Sequence, residues 1–270
     1  MKSLLPKKVL AGLLLLAWNT GVIADTPDCS ANSGTTRTPL LELYTSEGCS
    51  SCPPADRWLS GLRTQTGTSP RLVPLAFHVD YWDRLGWVDR FAKPVYSARQ
   101  YWIAGVSRAR TVYTPQFVLD GRDWRPARDA YPDARNDRAL AELHLELDAA
   151  GAEKLEVRGE ARLHAPADGA QVFIALYENN LTSRVGAGEN AGKLLRHDYV
   201  VRELVGPFRV PASGMLSFRH RFALGDDWKR DDLGASAFIQ NATTAEVYQA
   251  LQRPACQNRK NARPDTAPNP

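Results

Sequence analysis

Two cysteines separated by two residues, Cys49-Ser50-Ser51-Cys52, stand where a short apolar run gives way to a helical pattern. That junction constrains the fold of the N-terminal half more than any other feature. Leu40-Leu41-Glu42-Leu43-Tyr44 reads as a buried strand, and Ala55, Trp58, Leu59 and Leu62 recur at helical spacing. Pro53 and Pro54 fit only a first helical turn, where N–H groups have no intrahelical partner. This predicts a helix start near Ser50 or Ser51. A second strand is expected over 72–77 and a third over Gln116-Phe117-Val118-Leu119, running into the turn Asp120-Gly121. Between them, the aromatic stretch 81–113 (Trp82, Trp87, Phe91, Tyr96, Tyr101, Trp102) reads as mostly helical packing.

Beyond 126–139, a polar segment with Pro126 and Pro132 that reads as a linker, the pattern changes to alternation. Leu143, Leu145 and Leu147 alternate with His144, Glu146 and Asp148, and Phe218 and Phe222 share a face opposite Arg219 and Arg221. His220 falls on that apolar face and reads as a core-edge histidine. Further runs at 172–177, 197–204, 235–240 and 246–251 give about seven short strands, a pattern that suggests a small antiparallel β-sandwich. The expected class is therefore α/β plus all-β, with an N-terminal module over 38–125 and a β-sandwich over 140–254.

The ends read differently. Residues 1–24 combine Lys2, Lys7 and Lys8, a short apolar core and Val22-Ile23-Ala24, the layout of a secretory signal peptide. The apolar run is too short to span a bilayer. Export to the periplasm or medium is expected, with no membrane span after cleavage. The formal charge of +4 includes those three lysines, so 4 − 3 leaves +1. With no Lys/Arg cluster, no nucleic-acid or membrane partner is expected. The polar tail 257–270 is expected to be disordered.

Export puts four cysteines, Cys29, Cys49, Cys52 and Cys256, where disulfides persist. They allow three connectivities, and the sequence alone does not choose among them. Cys29 with Cys256 is the simplest second pair, and two free thiols are the alternative. The spacing of Cys49 and Cys52 lets their sulfurs meet across a first helical turn. Cys49, nearer solvent and the helix N-terminus, is then the candidate nucleophile and Cys52 the resolving thiol. A static disulfide is the competing reading. Structural zinc is disfavoured, because no second pair of ligands at matching spacing follows.

Tyr113-Thr114-Pro115-Gln116, just before an apolar strand, resembles the thioredoxin superfamily, in which a cis-proline faces the dithiol. The resemblance implies that Thr114 and Pro115 shape the surface that docks a partner. It is closer still to one family of exported thioredoxin-like proteins known by a domain-of-unknown-function label. The marks are Gly48-Cys49-Ser50-Ser51-Cys52-Pro53-Pro54-Ala55-Asp56, His78-Val79-Asp80-Tyr81-Trp82-Asp83, Tyr113-Thr114-Pro115-Gln116, Gly188-Glu189-Asn190-Ala191-Gly192-Lys193 and His197-Asp198-Tyr199-Val200-Val201-Arg202. They span roughly 40–250 and imply a thioredoxin-like fold for 38–125, without fixing a substrate.

Two functions from different classes follow. One is an exported thiol–disulfide oxidoreductase acting on protein or small-molecule disulfides and thiols, with a further redox partner and no cofactor. The other is a non-catalytic envelope binding protein that handles metal, perhaps copper held with His78. His78 and Asp80 are candidate modulators of the dithiol, against hydrogen-bonded structure for a lone histidine and capping or solvation for Asp80, Asp83 and Asp89. Glu178, Asn179, Glu189, Asn190 and His197 fall on or beside a glycine-rich loop, which reads as a binding loop or a structured turn.

Overall fold

The structure, a computed structural model, describes residues 29–63, 72–125, 137–149 and 153–256. The expected signal peptide, the tail and most of the linker lie outside those residues. In chain order the strands begin with β1 (Ser30–Asn32) and β2 (Leu40–Thr45). Helix α1 (Pro53–Gly61), β3 (Val73–His78), a 3-10 helix (Asp80–Leu85) and α2 (Pro94–Val106) follow. After β4 (Gln116–Leu119) and β5 (Arg122–Trp124) come β6 (Ala141–Ala149), β7 (Lys154–Leu163), β8 (Ala170–Glu178), β9 (Leu181–Arg184) and β10 (Leu194–His197). The chain closes with β11 (Val200–Arg209), β12 (Met215–Ala223), a 3-10 turn (Arg230–Asp232), β13 (Leu233–Asn241) and β14 (Val247–Pro254). The molecule is mostly β-sheet with few helices, a mixed α/β half joined to a β-rich one.

One eight-stranded sheet runs through both halves in the order β14-β13-β8-β11-β3-β2-β4-β5. Strand β2 is parallel to β3 (Leu40↔Val73 to Thr45↔His78) and antiparallel to β4. The halves join where β3 meets β11 in parallel at Ala76↔Val200. A second sheet, β1-β6-β7-β12, packs on the β8–β13 region across an apolar core that includes Leu143, Leu145, Val157, Phe218, Phe222, Ile174 and Ile239.

The two-residue period of a strand explains which residues face which layer. On β8, Val172, Ile174 and Leu176 enter the core between the two sheets, whereas Phe173, Ala175 and Tyr177 join the core on the α2 side. With both faces covered, this strand reads as an unbroken apolar run. Strand β6 covers a core on one face only, so it alternates. Nine strands, not about seven, fill 141–254. The two extra ones are the short paired strands β9 and β10, and Tyr199, with a left-handed φ of 58°, divides β10 from β11.

Two other local expectations shift. The helix after the cysteines starts at Pro53, with Cys52 as its N-cap and prolines in the first two positions. The preceding residues form turns instead, because Cys52 N–H bonds back to the Cys49 carbonyl. The aromatic stretch is helical in two pieces only, separated by an irregular segment at 86–93. Asp89 shapes that segment: its carboxylate accepts from Glu47 N–H and Phe91 N–H. A disulfide joins Cys29 at the start of β1 to Cys256 beyond β14, with Cα atoms 5.7 Å apart. It ties the ends of the described chain across the β-rich half.

Candidate functional site

Strand β2 ends at Thr45, and the chain turns sharply through Ser46-Glu47-Gly48 into the cysteine pair. Gly48 N–H bonds Ser46 Oγ and Cys49 N–H bonds the Ser46 carbonyl, so the turn is built from its own short polar groups. Gly48 is closely packed, since a Cβ there would sit 3.3 Å from Trp82 Cβ. Cys49 and Cys52 form a disulfide. Both are fully buried, whereas Ser50 and Ser51 between them are exposed. Ser51 Oγ lies 3.3 Å from Cys49 Sγ.

Thr114 and Pro115 lie at the same end of the sheet, because β4 runs antiparallel to β2 with Tyr44 opposite Gln116. The Thr114–Pro115 peptide is cis. Trp82 links this segment to the cysteine turn: its backbone side packs on Gly48 and its indole N–H donates to Thr114 Oγ1 at 2.7 Å. Asp80 has a different setting. It exchanges hydrogen bonds with Ser97 and so fastens the 3-10 helix to α2.

The β-rich half reaches into the site through the loop between β9 and β10. Asn190, fully buried, donates both amide hydrogens, one to the Glu47 carbonyl and one to the Cys49 carbonyl, each at 2.9 Å. Lys193 Nζ holds the Asn190 Oδ1 at 2.8 Å. Glu189 Oε2 accepts from Ser50 N–H at 2.9 Å, and the Ser50 hydroxyl, with that N–H, keeps the Glu189 carboxyl below its ordinary range. Gly186 and Gly188 press on Trp87, and Gly188 takes a φ of 71° that suits glycine. The loop is a structured clamp on the cysteine turn.

Beneath that turn lies a cluster of five buried ionisable side chains: Glu47, Asp56, His78, Asp89 and His197. His78 Nδ1 is 2.6 Å from Asp89 Oδ2. Burial alone would depress the imidazolium, but the adjacent Asp89 charge outweighs it and raises His78 above its usual pKa. Burial likewise works against the Asp89 carboxylate, yet His78 and two backbone N–H donors hold its pKa low. The His197 ring packs edge-on to His78 at 5.0 Å, with Nε2 3.4 Å from Glu47 Oε1 and Nδ1 3.9 Å from Asp56 Oδ2. Trp87 Nε1 donates to the other Glu47 oxygen at 2.8 Å. Against the cost of burial, the His197 contact brings Glu47 below its ordinary pKa. For Asp56 burial prevails over the nearby histidines and lifts the pKa.

Four polar atoms of this cluster have no hydrogen-bond partner: Glu47 Oε1, His78 Nε2 and both ring nitrogens of His197. Asp56 ties the cluster to the dithiol through α1, where its N–H bonds the Cys52 carbonyl one turn back. Of the sequence candidates, Cys49, Cys52, His78, Glu189, Asn190 and His197 converge here. Glu47 and Asp56 join them without a sequence signal of their own, Glu47 just before the cysteine motif and Asp56 at its end. Among the described residues, no group of three or more His, Cys, Asp or Glu side chains is arranged to hold a metal ion. No described helix is long and apolar enough to cross a membrane.

Comparison with known proteins places the fold without assigning a reaction. A structure of a protein from Agrobacterium tumefaciens, solved as a structural-genomics target, matches with a TM-score of 0.54 at 22% identity, over 83% of this chain and 97% of that one. HBP35 of Porphyromonas gingivalis matches with a TM-score of 0.58 at 16% identity, over 87% of this chain and 79% of that one. At these identities the likeness is one of fold. No curated protein sequence matches. The family model described as a protein of unknown function, DUF1223, matches residues 40–240, which take in the cysteine turn, the buried cluster and the clamping loop, and the chain belongs to that family.

Proposed function

We propose that the protein is an exported thiol–disulfide oxidoreductase, working in the periplasm after removal of residues 1–24. Its 38–125 portion is a thioredoxin-like module, and the 140–254 β-sandwich completes the site. The observation that carries this is the Cys49–Cys52 disulfide in the turn between β2 and α1, seated over a buried, incompletely hydrogen-bonded set of titratable groups. Buried polar atoms without partners are costly, and they concentrate at sites where chemistry needs them. Two disulfides also fit an oxidising compartment.

In the reduced form, the Cys49 thiolate attacks one sulfur of a partner disulfide and expels the other as a thiolate. Cys52 then loses its proton and attacks Cys49 Sγ, which closes the internal disulfide and releases the second partner sulfur. Thr114 and Pro115, joined to the turn through Trp82, shape the surface a partner meets. Both cysteines are buried, so a partner reaches them only after a local movement of the site. His78 modulates the pair through the buried cluster rather than by touching substrate.

Insulin reduction or refolding of a disulfide-containing substrate tests the proposal. Cys49→Ser should abolish catalysis, while Cys52→Ser should trap a mixed disulfide with the substrate. Equal activity in the Cys49→Ser protein would overturn the proposal.

A further inference from the structure

The N–H groups of Ser50 and Cys52 that flank Cys49 are committed elsewhere, while the Ser51 hydroxyl lies 3.3 Å from its sulfur. A thiolate at the start of a helix is ordinarily stabilised by free N–H groups and by the positive end of the helix dipole. Here the first two helical positions are Pro53 and Pro54, which carry no N–H. The next two donors, Ala55 N–H and Asp56 N–H, both bond the Cys52 carbonyl. Cys52 N–H bonds the Cys49 carbonyl, and Ser50 N–H is taken by the Glu189 carboxylate.

The elements around the pair also carry three carboxyl groups. Glu189 comes from the β9–β10 loop, Glu47 from the turn before Cys49, and Asp56 from α1. The basic side chains in these elements have contacts of their own: His78 Nδ1 with Asp89, the His197 ring between Glu47 and Asp56, and Lys193 Nζ with the Asn190 amide oxygen.

We infer that Glu189 and the paired prolines leave the reduced pair poorly stabilised, so that it works as a reductant of partner disulfides. This rests on the exchange chemistry proposed above and assigns it a direction. A dithiol oxidant is strong when its reduced form is stabilised, and a reductant is the converse case. Electrons balance as follows. Two thiols of the reduced pair become one disulfide, and the partner disulfide becomes two thiols that take up the two protons. A dithiol donor of lower potential then returns the electrons to Cys49 and Cys52. A thiolate with a high pKa is also the stronger nucleophile once formed, which suits attack on a disulfide.

The test is equilibration of the full mature protein with reduced and oxidised glutathione, wild type beside Glu189→Gln. Glu189 is exposed, so the variant leaves the core untouched. The substitution should make the pair easier to reduce, by about two- to fivefold in the equilibrium constant, or up to ~20 mV. Added salt should shift wild type in the same direction and leave Glu189→Gln nearly unmoved. The pH dependence of alkylation should place the wild-type Cys49 thiol at or above the ordinary value of about 8.5. No shift in Glu189→Gln, or a Cys49 pKa below about 7, would overturn the inference. Failure of the function itself would look different: the glutathione shift would persist while no disulfide substrate is turned over.

Discussion

Two buried charged clusters flank the same pair of strands, and they are built to different standards. On the α2 face of β2 and β3, Arg99 donates to both Glu42 oxygens (Nε at 2.6 Å, Nη2 at 2.9 Å) and to Gln240 at 3.0 Å, while Tyr44 donates to Glu42. The guanidinium also lies over the Phe238 and Phe173 rings at 4.9 and 5.2 Å. None of these side chains has a buried polar atom left without a partner. One residue further along each strand, Thr45 and His78 face the opposite side, toward α1 and the cysteine turn. There the Glu47–Asp56–His78–Asp89–His197 cluster keeps several atoms unpaired. A fully paired buried network locks elements together, and an underpaired one beside two cysteines is available for chemistry. The first fastens α2 and β13 to the central strands, and the second, in the proposed function, serves the dithiol.

This contrast can be broken from either side. The largest expected effect is on the paired cluster. Arg99→Ala leaves Glu42 buried without its partner and should cost about 3–5 kcal/mol of stability in denaturant unfolding. It should leave the Cys49–Cys52 potential unchanged. A shift in potential on Arg99→Ala would mean that the two faces are coupled and not separate.

A smaller effect should appear in the pH dependence of stability from the underpaired cluster. Asp89, held low by His78, contributes above the unfolded carboxylate value of about 3.9, and this is lost as pH falls through its folded pKa. His78, held high by Asp89, contributes fully below about 6.5, and this is lost as pH rises through its folded pKa. Asp56, raised by burial, costs stability as pH rises from about 3.9 through its folded pKa, and that cost is constant above it. Wild-type stability should therefore decline above pH 6.5, and Asp89→Asn should flatten that decline. An equally steep decline in Asp89→Asn would detach His78 from its assigned partner.

How far the sequence reveals this architecture depends on whether a feature is local. Strand β4 with its Asp120-Gly121 turn and the apolar face of α1 are short-range patterns, and they are readable to within a residue or two. The start of α1 is not, because Pro53 and Pro54 are compatible with any first-turn position and only the Cys52 N–H bond to Cys49 decides it. The eight-stranded sheet escapes sequence reading because its halves meet at the single parallel bridge Ala76↔Val200, between residues far apart in the chain. The buried cluster is hidden for the same reason. Its members come from α1, β3, β10 and two loops, and only their polarity inside motif-like stretches gives a hint. The loop at 186–193 shows its glycines and polar density in the sequence, but not that Asn190 would reach the carbonyls on either side of Gly48.

The reduction potential of the Cys49–Cys52 pair, measured by glutathione equilibration and thiol trapping on the mature protein, tests the central claim most directly. A pair that reduces partner disulfides should give a value at the reducing end of the exchange catalysts, about −270 mV. A value below about −300 mV would mark a static structural disulfide and contradict the assignment of exchange chemistry to this site.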